Sequence, residues 1–170
     1  STRTSSSAAS DVYKRQLDVL NPNNEAGKIT LICRMGHEKV SGILPKIIRS
    51  VNSAGKNVVW TCDPMHGNTI KSNTGFKTRP LKDIISEIQQ FFQIHRSEGT
   101  YPGGVHLEMT GQDVTECMGG LQEITDEDLK NRYHTYCDPR LNASQSLELA
   151  FLLSDFLKEE KLLSKQSSNL

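Results

Sequence analysis

Three short runs rich in apolar and β-branched residues constrain this chain most: Ile29 to Arg34 (ITLICR), Val58 to Cys62 (VVWTC) and Val105 to Met109 (VHLEM). Runs of this length, flanked by glycine or proline, suit buried strands. Between the first two, Val40, Ile43, Leu44, Ile47, Ile48 and Val51 recur at helical spacing, and Gly55 stands where a C-terminal cap belongs. Pro45 interrupts that stripe, and is expected to kink the helix or to open its second part. Between the second and third runs, Leu81, Ile84, Ile85, Ile88, Phe91 and Phe92 make a second stripe that starts at Pro80. Its phenylalanines are expected in the core. Strands alternating with helices predict an α/β fold, a parallel sheet covered by helices. Further on, a short helix is predicted near Thr125 to Asn131, with Thr125 and Asp128 as a capping pair. A last helix is predicted from about Ala143 to Lys161, capped by Asn142 and Gln145, with Leu147, Ala150, Phe151, Ser154 and Leu157 on one face.

Composition narrows the partners. The 20 basic and 20 acidic residues cancel and form no blocks of like charge, which argues against nucleic acid. Apolar runs are too short to span a bilayer, so no membrane insertion is expected. Cys33, Cys62, Cys117 and Cys137 form no C-x-x-C pair and no disulfide framework, so a reducing compartment is expected and secretion is not. Residues 1–16, STRTSSSAASDVYKRQ, are serine-rich and lack apolar periodicity. They are expected to be a disordered or non-native tail, with the folded domain over residues 17–170.

The chemistry concentrates around the strand ends. Asn57 to Arg79 runs from a strand through Asp63-Pro64 and Gly67-Asn68 into a long loop carrying His66, Lys77 and Arg79. Each candidate has a plain alternative: His66 a loop histidine bonded to backbone, Glu108 half of an ion pair with Arg34, and Asp138 in CDPRLN an Asx turn. Their shared position, at or after strand ends, favours one mouth of a parallel barrel, where an imidazole and two carboxylates suit a first-row divalent ion such as Mn²⁺. Arg34 offers a planar fork for carboxylate or phosphate, and Lys77 and Arg79 a second phosphate contact, against the alternative of a solvated basic loop. Arg140 is a weaker candidate, equally suited to pairing with nearby acids.

LICRMG, CDPMHGNT, TGFKTR, PGGVHLEMTGQDVTEC and YHTYCDPRLNASQSLELAF closely resemble the C-terminal part of the class II, plant-type 3-deoxy-D-arabino-heptulosonate 7-phosphate synthases. The resemblance covers Leu17 to about Glu160. It implies the last three β/α units of a (β/α)₈ barrel, incomplete because a whole barrel takes about 250 residues. It also implies condensation of phosphoenolpyruvate with erythrose 4-phosphate, the first step of the shikimate pathway. His66, Glu108 and Asp138 would be three of four ligands to a divalent metal, Mn²⁺ with Co²⁺ as the alternative. Arg34 would bind phosphoenolpyruvate, and Lys77 would lie near the substrate phosphates with a catalytic role, as His66 would have. None of the four cysteines sits in the family's ligand-cysteine context, and Cys33, Cys62 and Cys137, which neighbour site residues, are expected to be packed or inert. A homo-oligomer at full length, in cytoplasm or plastid, is further expected, and the 170-residue chain is expected to be inactive by itself because an incomplete barrel leaves two open sheet edges and an uncovered core face. The competing readings are a non-catalytic barrel remnant that binds a phosphorylated ligand or partner chain, and a different metal-dependent aldolase.

Overall fold

The computed structural model describes residues 15–167. In chain order the elements are β1 (Thr30–Cys33), α1 (Val40–Ser53), β2 (Val59–Cys62), β3 (Ile70–Lys71), β4 (Lys77–Thr78), α2 (Leu81–Ser97), β5 (Pro102–Val105) and α3 (Ala143–Ser167). The described residues fall into two compact units, 15–67 with 86–107, and 68–85 with 108–167. The tail expected over residues 1–16 lies outside the described residues as far as residue 14, and residues 15–20 are helical.

The first unit is built on a three-stranded parallel sheet in the order β1-β2-β5. Register pairs Thr30 with Val59 and Cys33 with Cys62, then Trp60 with Pro102 and Cys62 with Val105. Two bonds carry the ladder one step past the strands: Asp63 N–H donates to the Cys33 carbonyl and His106 N–H to the Cys62 carbonyl, each at 2.7 Å. Asp63 and His106 are thereby held at the carboxyl ends of the sheet. The α1 stripe buries Val40, Leu44, Ile48 and Val51, and the helix runs through Pro45 without a break. Gly55 adopts φ +63° just past its end, the left-handed geometry a C-terminal cap requires. Along α2, Ile88, Phe91, Phe92 and His95 are buried; His95 packs against Phe91 and Trp60, with ring centroids 4.4 and 5.5 Å away.

Two strand expectations need correction. The third strand is Pro102–Val105 and not residues 105–109, so His106 and Glu108 lie beyond its end. Gly103 and Gly104, which flank the third run in the sequence, belong to the strand itself: a Cβ on Gly103 would stand 2.7 Å from the Trp60 carbonyl oxygen, so only glycine allows β5 to approach β2. The first strand, expected to be buried, is an edge with Thr30 exposed and Ile32 55% exposed, because it is paired on one side only.

The second unit carries little regular structure. β3 and β4 form an antiparallel hairpin within what reads in sequence as continuous loop. Isolated bridges join Pro80 to Met118, Met109 to Leu141 and Gly119 to Ile124. The cap of α3 is reciprocal as expected: Gln145 N–H donates to Asn142 Oδ1 at 2.9 Å, and Asn142 N–H to Gln145 Oε1 at 3.2 Å. The apolar face expected along α3 is exposed at Leu147 and Phe151, while Gln145 and Leu149 are buried. Among the described residues no helix is long and apolar enough to cross a membrane.

Candidate active site

Within the first unit, the ends of β1 and β2 deliver Arg34 and His66 to one buried carboxylate. Asp63 is fully enclosed and accepts Arg34 Nε at 2.9 Å. It also meets His66 Nδ1 at 2.8 Å and accepts the backbone N–H groups of Met65 and His66 at 3.1 and 3.2 Å. Burial alone would raise the Asp63 pKa, but hydrogen bonds from His66 outweigh it and hold the carboxyl below its ordinary range. The turn itself, a 3₁₀ stretch over His66–Asn68, depends on Gly67: a Cβ there would stand 2.9 Å from Gly36 Cα. Met35 and Gly36 N–H donate to the buried Glu87 carboxylate at 3.2 and 2.9 Å, which anchors the segment after Arg34.

Within the second unit, Lys77, Glu108 and Asp138 gather about Arg79. The Arg79 side chain is fully buried. Its Nε donates to Thr69 Oγ1 at 2.9 Å, and its Nη1 donates to the Pro139 carbonyl at 2.5 Å and to the Glu108 carboxylate. Nη2 stands 3.7 Å from Asp138 Oδ1, and Lys77 on β4 donates to the same carboxylate. Carboxylate oxygens of Glu108 and Asp138 come within 4.8 Å of each other. The Lys77 hydrogen bond, partly offset by desolvation and aided by the charges of Lys77 and Arg79, holds the Asp138 carboxyl below its ordinary range.

The loop that presents Asp138 is braced by Glu116. This enclosed carboxylate accepts Arg140 Nε and Nη2 at 2.9 and 2.7 Å, Arg140 N–H at 2.9 Å and His134 N–H at 3.2 Å. Arg140 is therefore a paired residue of the brace. Tyr133 stacks on Phe76 with ring centroids 4.9 Å apart, and its hydroxyl donates to the Lys77 carbonyl at 2.7 Å.

Asp63, Arg79 and Glu116 are the residues that the sequence reading underweights. Asp63 looks like a turn former before proline, Arg79 like a solvated loop cation, and Glu116 has no periodic context. The one available signal is that each is a charged residue beside a β-branched or proline position in a segment dense with candidates. Cys33 and Cys62 are buried as expected, and Cys117 is buried as well, whereas Cys137 is exposed and does not fit the expectation of a packed thiol.

Parallel strands whose carboxyl ends present guanidinium, carboxylate and imidazole groups define an α/β protein with its polar site at the strand ends. The chain belongs to the Class-II DAHP synthetase family, whose model matches residues 2–154. It is 56% identical over 140 residues to the phospho-2-dehydro-3-deoxyheptonate aldolase AroG of Mycolicibacterium smegmatis, covering 82% of this chain and 30% of that protein. To the phospho-2-dehydro-3-deoxyheptonate aldolase of Streptomyces coelicolor it is 49% identical over 144 residues, covering 85% of this chain and 32% of that protein. The chain thus spans about a third of the length of these curated relatives.

Proposed function

We propose that this chain supplies part of the active site of a synthase that condenses phosphoenolpyruvate with erythrose 4-phosphate, opening the shikimate pathway. Its three parallel strands would be the last three of a (β/α)₈ barrel, with His66, Glu108 and Asp138 holding a divalent metal. The observation that carries the reading is the gathering of Glu108 and Asp138, their oxygens within 4.8 Å, around the buried Arg79. Two acids brought that close repel each other; the surrounding cations offset part of that repulsion, and a divalent ion would offset more of it.

The residue types fit such an ion. His66 is bonded through Nδ1 to a carboxylate, the support that metal-binding imidazoles use. With two carboxylates it forms a nitrogen and oxygen donor set suited to Mn²⁺, with Co²⁺ as the alternative. The ion would polarise the aldehyde of erythrose 4-phosphate. Arg34, whose side chain is 56% exposed although its Nε is engaged by Asp63, would hold the anionic groups of phosphoenolpyruvate. Lys77 would neutralise substrate phosphate. Carbon 3 of phosphoenolpyruvate bonds to the aldehyde carbon, water adds at carbon 2, and cleavage of the carbon–oxygen bond there releases inorganic phosphate.

The test is a chimera in which this chain replaces the segment that it matches in the M. smegmatis relative. Loss of phosphoenolpyruvate should require both erythrose 4-phosphate and Mn²⁺, and Glu108→Gln should lower kcat/KM by at least about 100-fold. Unchanged rate and Mn²⁺ affinity in Glu108→Gln would sink the assignment. A folded, inactive chimera that still binds phosphorylated ligands would favour the non-catalytic reading.

A further inference from the structure

We propose that Asp63 is a positioning residue that couples the metal-binding imidazole to the anion-binding arginine. The inference rests on the roles given above to His66 and Arg34. Asp63 sits one residue past β2 with its own N–H held by the Cys33 carbonyl, and its side chain is fully enclosed. The carboxylate Oδ2 lies 2.8 Å from His66 Nδ1 and 2.9 Å from Arg34 Nε, so a single oxygen serves both.

An ionised carboxylate only accepts hydrogen bonds, so the proton shared with His66 belongs to Nδ1. In the neutral ring the lone pair then resides on Nε2, the nitrogen that would coordinate a metal. On the other side, engagement of Nε fixes the plane of the Arg34 guanidinium and leaves the two Nη groups as the fork for a carboxylate or phosphate. The backbone after Arg34 is fixed separately by Glu87, through Met35 and Gly36 N–H. Loss of Asp63 would therefore release the Arg34 side chain and the His66 tautomer without releasing the segment that carries Arg34.

Asp63→Asn keeps the size but only one acceptor oxygen: facing His66 and Arg34 it turns its NH2 onto the Met65 and His66 N–H groups, and facing those it turns the NH2 onto the His66 and Arg34 side chains. In the chimera it should weaken Mn²⁺ binding by roughly 10- to 100-fold. It should also raise KM for phosphoenolpyruvate by about 10-fold, with KM for erythrose 4-phosphate changing by less than about 2-fold, a split that a general loss of stability would not give. In ¹⁵N-histidine-labelled wild-type protein, His66 should carry its proton on Nδ1, and Asp63→Asn should shift it toward the other tautomer. A wild-type His66 protonated on Nε2 overturns the proposal, whatever the substitution does to folding. Mn²⁺ affinity lost in Glu108→Gln but kept in Asp63→Asn, with KM for phosphoenolpyruvate unchanged, overturns it alone. A wild-type chimera without Mn²⁺ affinity overturns the metal site, and this proposal with it.

Discussion

The Arg79 guanidinium, fully buried, donates to the carboxylate of Glu108, whose side chain remains 28% exposed. An enclosed cation of this kind depends on the acceptors it donates to, here Thr69, Glu108 and Pro139. Replacing Arg79 with Met should destabilise the protein by about 3 kcal/mol, the low end for breaking a buried pair, because Glu108 keeps access to water. Urea unfolding measures the loss. Arg79→Lys should recover less than half of it, since an ammonium cannot reach all three acceptors at once.

That relationship also marks where sequence reading stops. The ends of β1 and β2 and the α1 and α2 stripes were legible because β-branched runs and 3.6-residue spacing are local signals. Arg79 was not, because its burial is created by partners 10 to 60 residues away. The pair β3 and β4, two residues each, is too short to carry a period. Gly103 reads in sequence as a break flanking the third run, yet the strand needs glycine there for its close approach to β2. His66, Lys77, Arg34, Glu108 and Asp138 stand out by residue type and place, whereas Asp63, which engages His66 and Arg34, and the burial of Arg79, which engages Glu108, emerge only in three dimensions.

Gly67 should tolerate no side chain. A Cβ would press on the backbone of Met35 and Gly36, so Gly67→Ala should cost about 1–3 kcal/mol as overpacking does. It should also weaken Mn²⁺ binding, since the same turn carries His66. Thermal unfolding and metal titration of one sample check both, and a variant of wild-type stability would contradict the close approach.

Burial lowers the His95 pKa to about 4. In the unfolded chain an imidazole titrates near 6.5, so between these values the unfolded state binds more protons than the folded one. Stability is then full above about pH 6.5 and declines as pH falls toward 4, by up to about 3 kcal/mol. In His95→Phe this component should vanish. Unfolding midpoints measured from pH 7.5 to 4.5 should show the gap between the two proteins shifting in favour of the variant as pH falls. Parallel profiles would count against a buried neutral imidazole.

Thiol reactivity should follow exposure. Burial pushes Cys33 and Cys117 up to about 12 and raises Cys62 further, whereas Cys137 is exposed. At pH 8 a disulfide reagent should titrate one thiol of the four in the native protein, and the others only on unfolding. Loss of the fast thiol in Cys137→Ser identifies it.

The central claim, that His66 joins Glu108 and Asp138 on one divalent ion, is tested most directly by pulsed electron paramagnetic resonance of Mn²⁺ in the ¹⁵N-histidine-labelled chimera. A directly coordinated imidazole nitrogen should give a hyperfine coupling that disappears in His66→Asn. Bound Mn²⁺ whose histidine coupling is absent, or survives that substitution unchanged, would contradict the account.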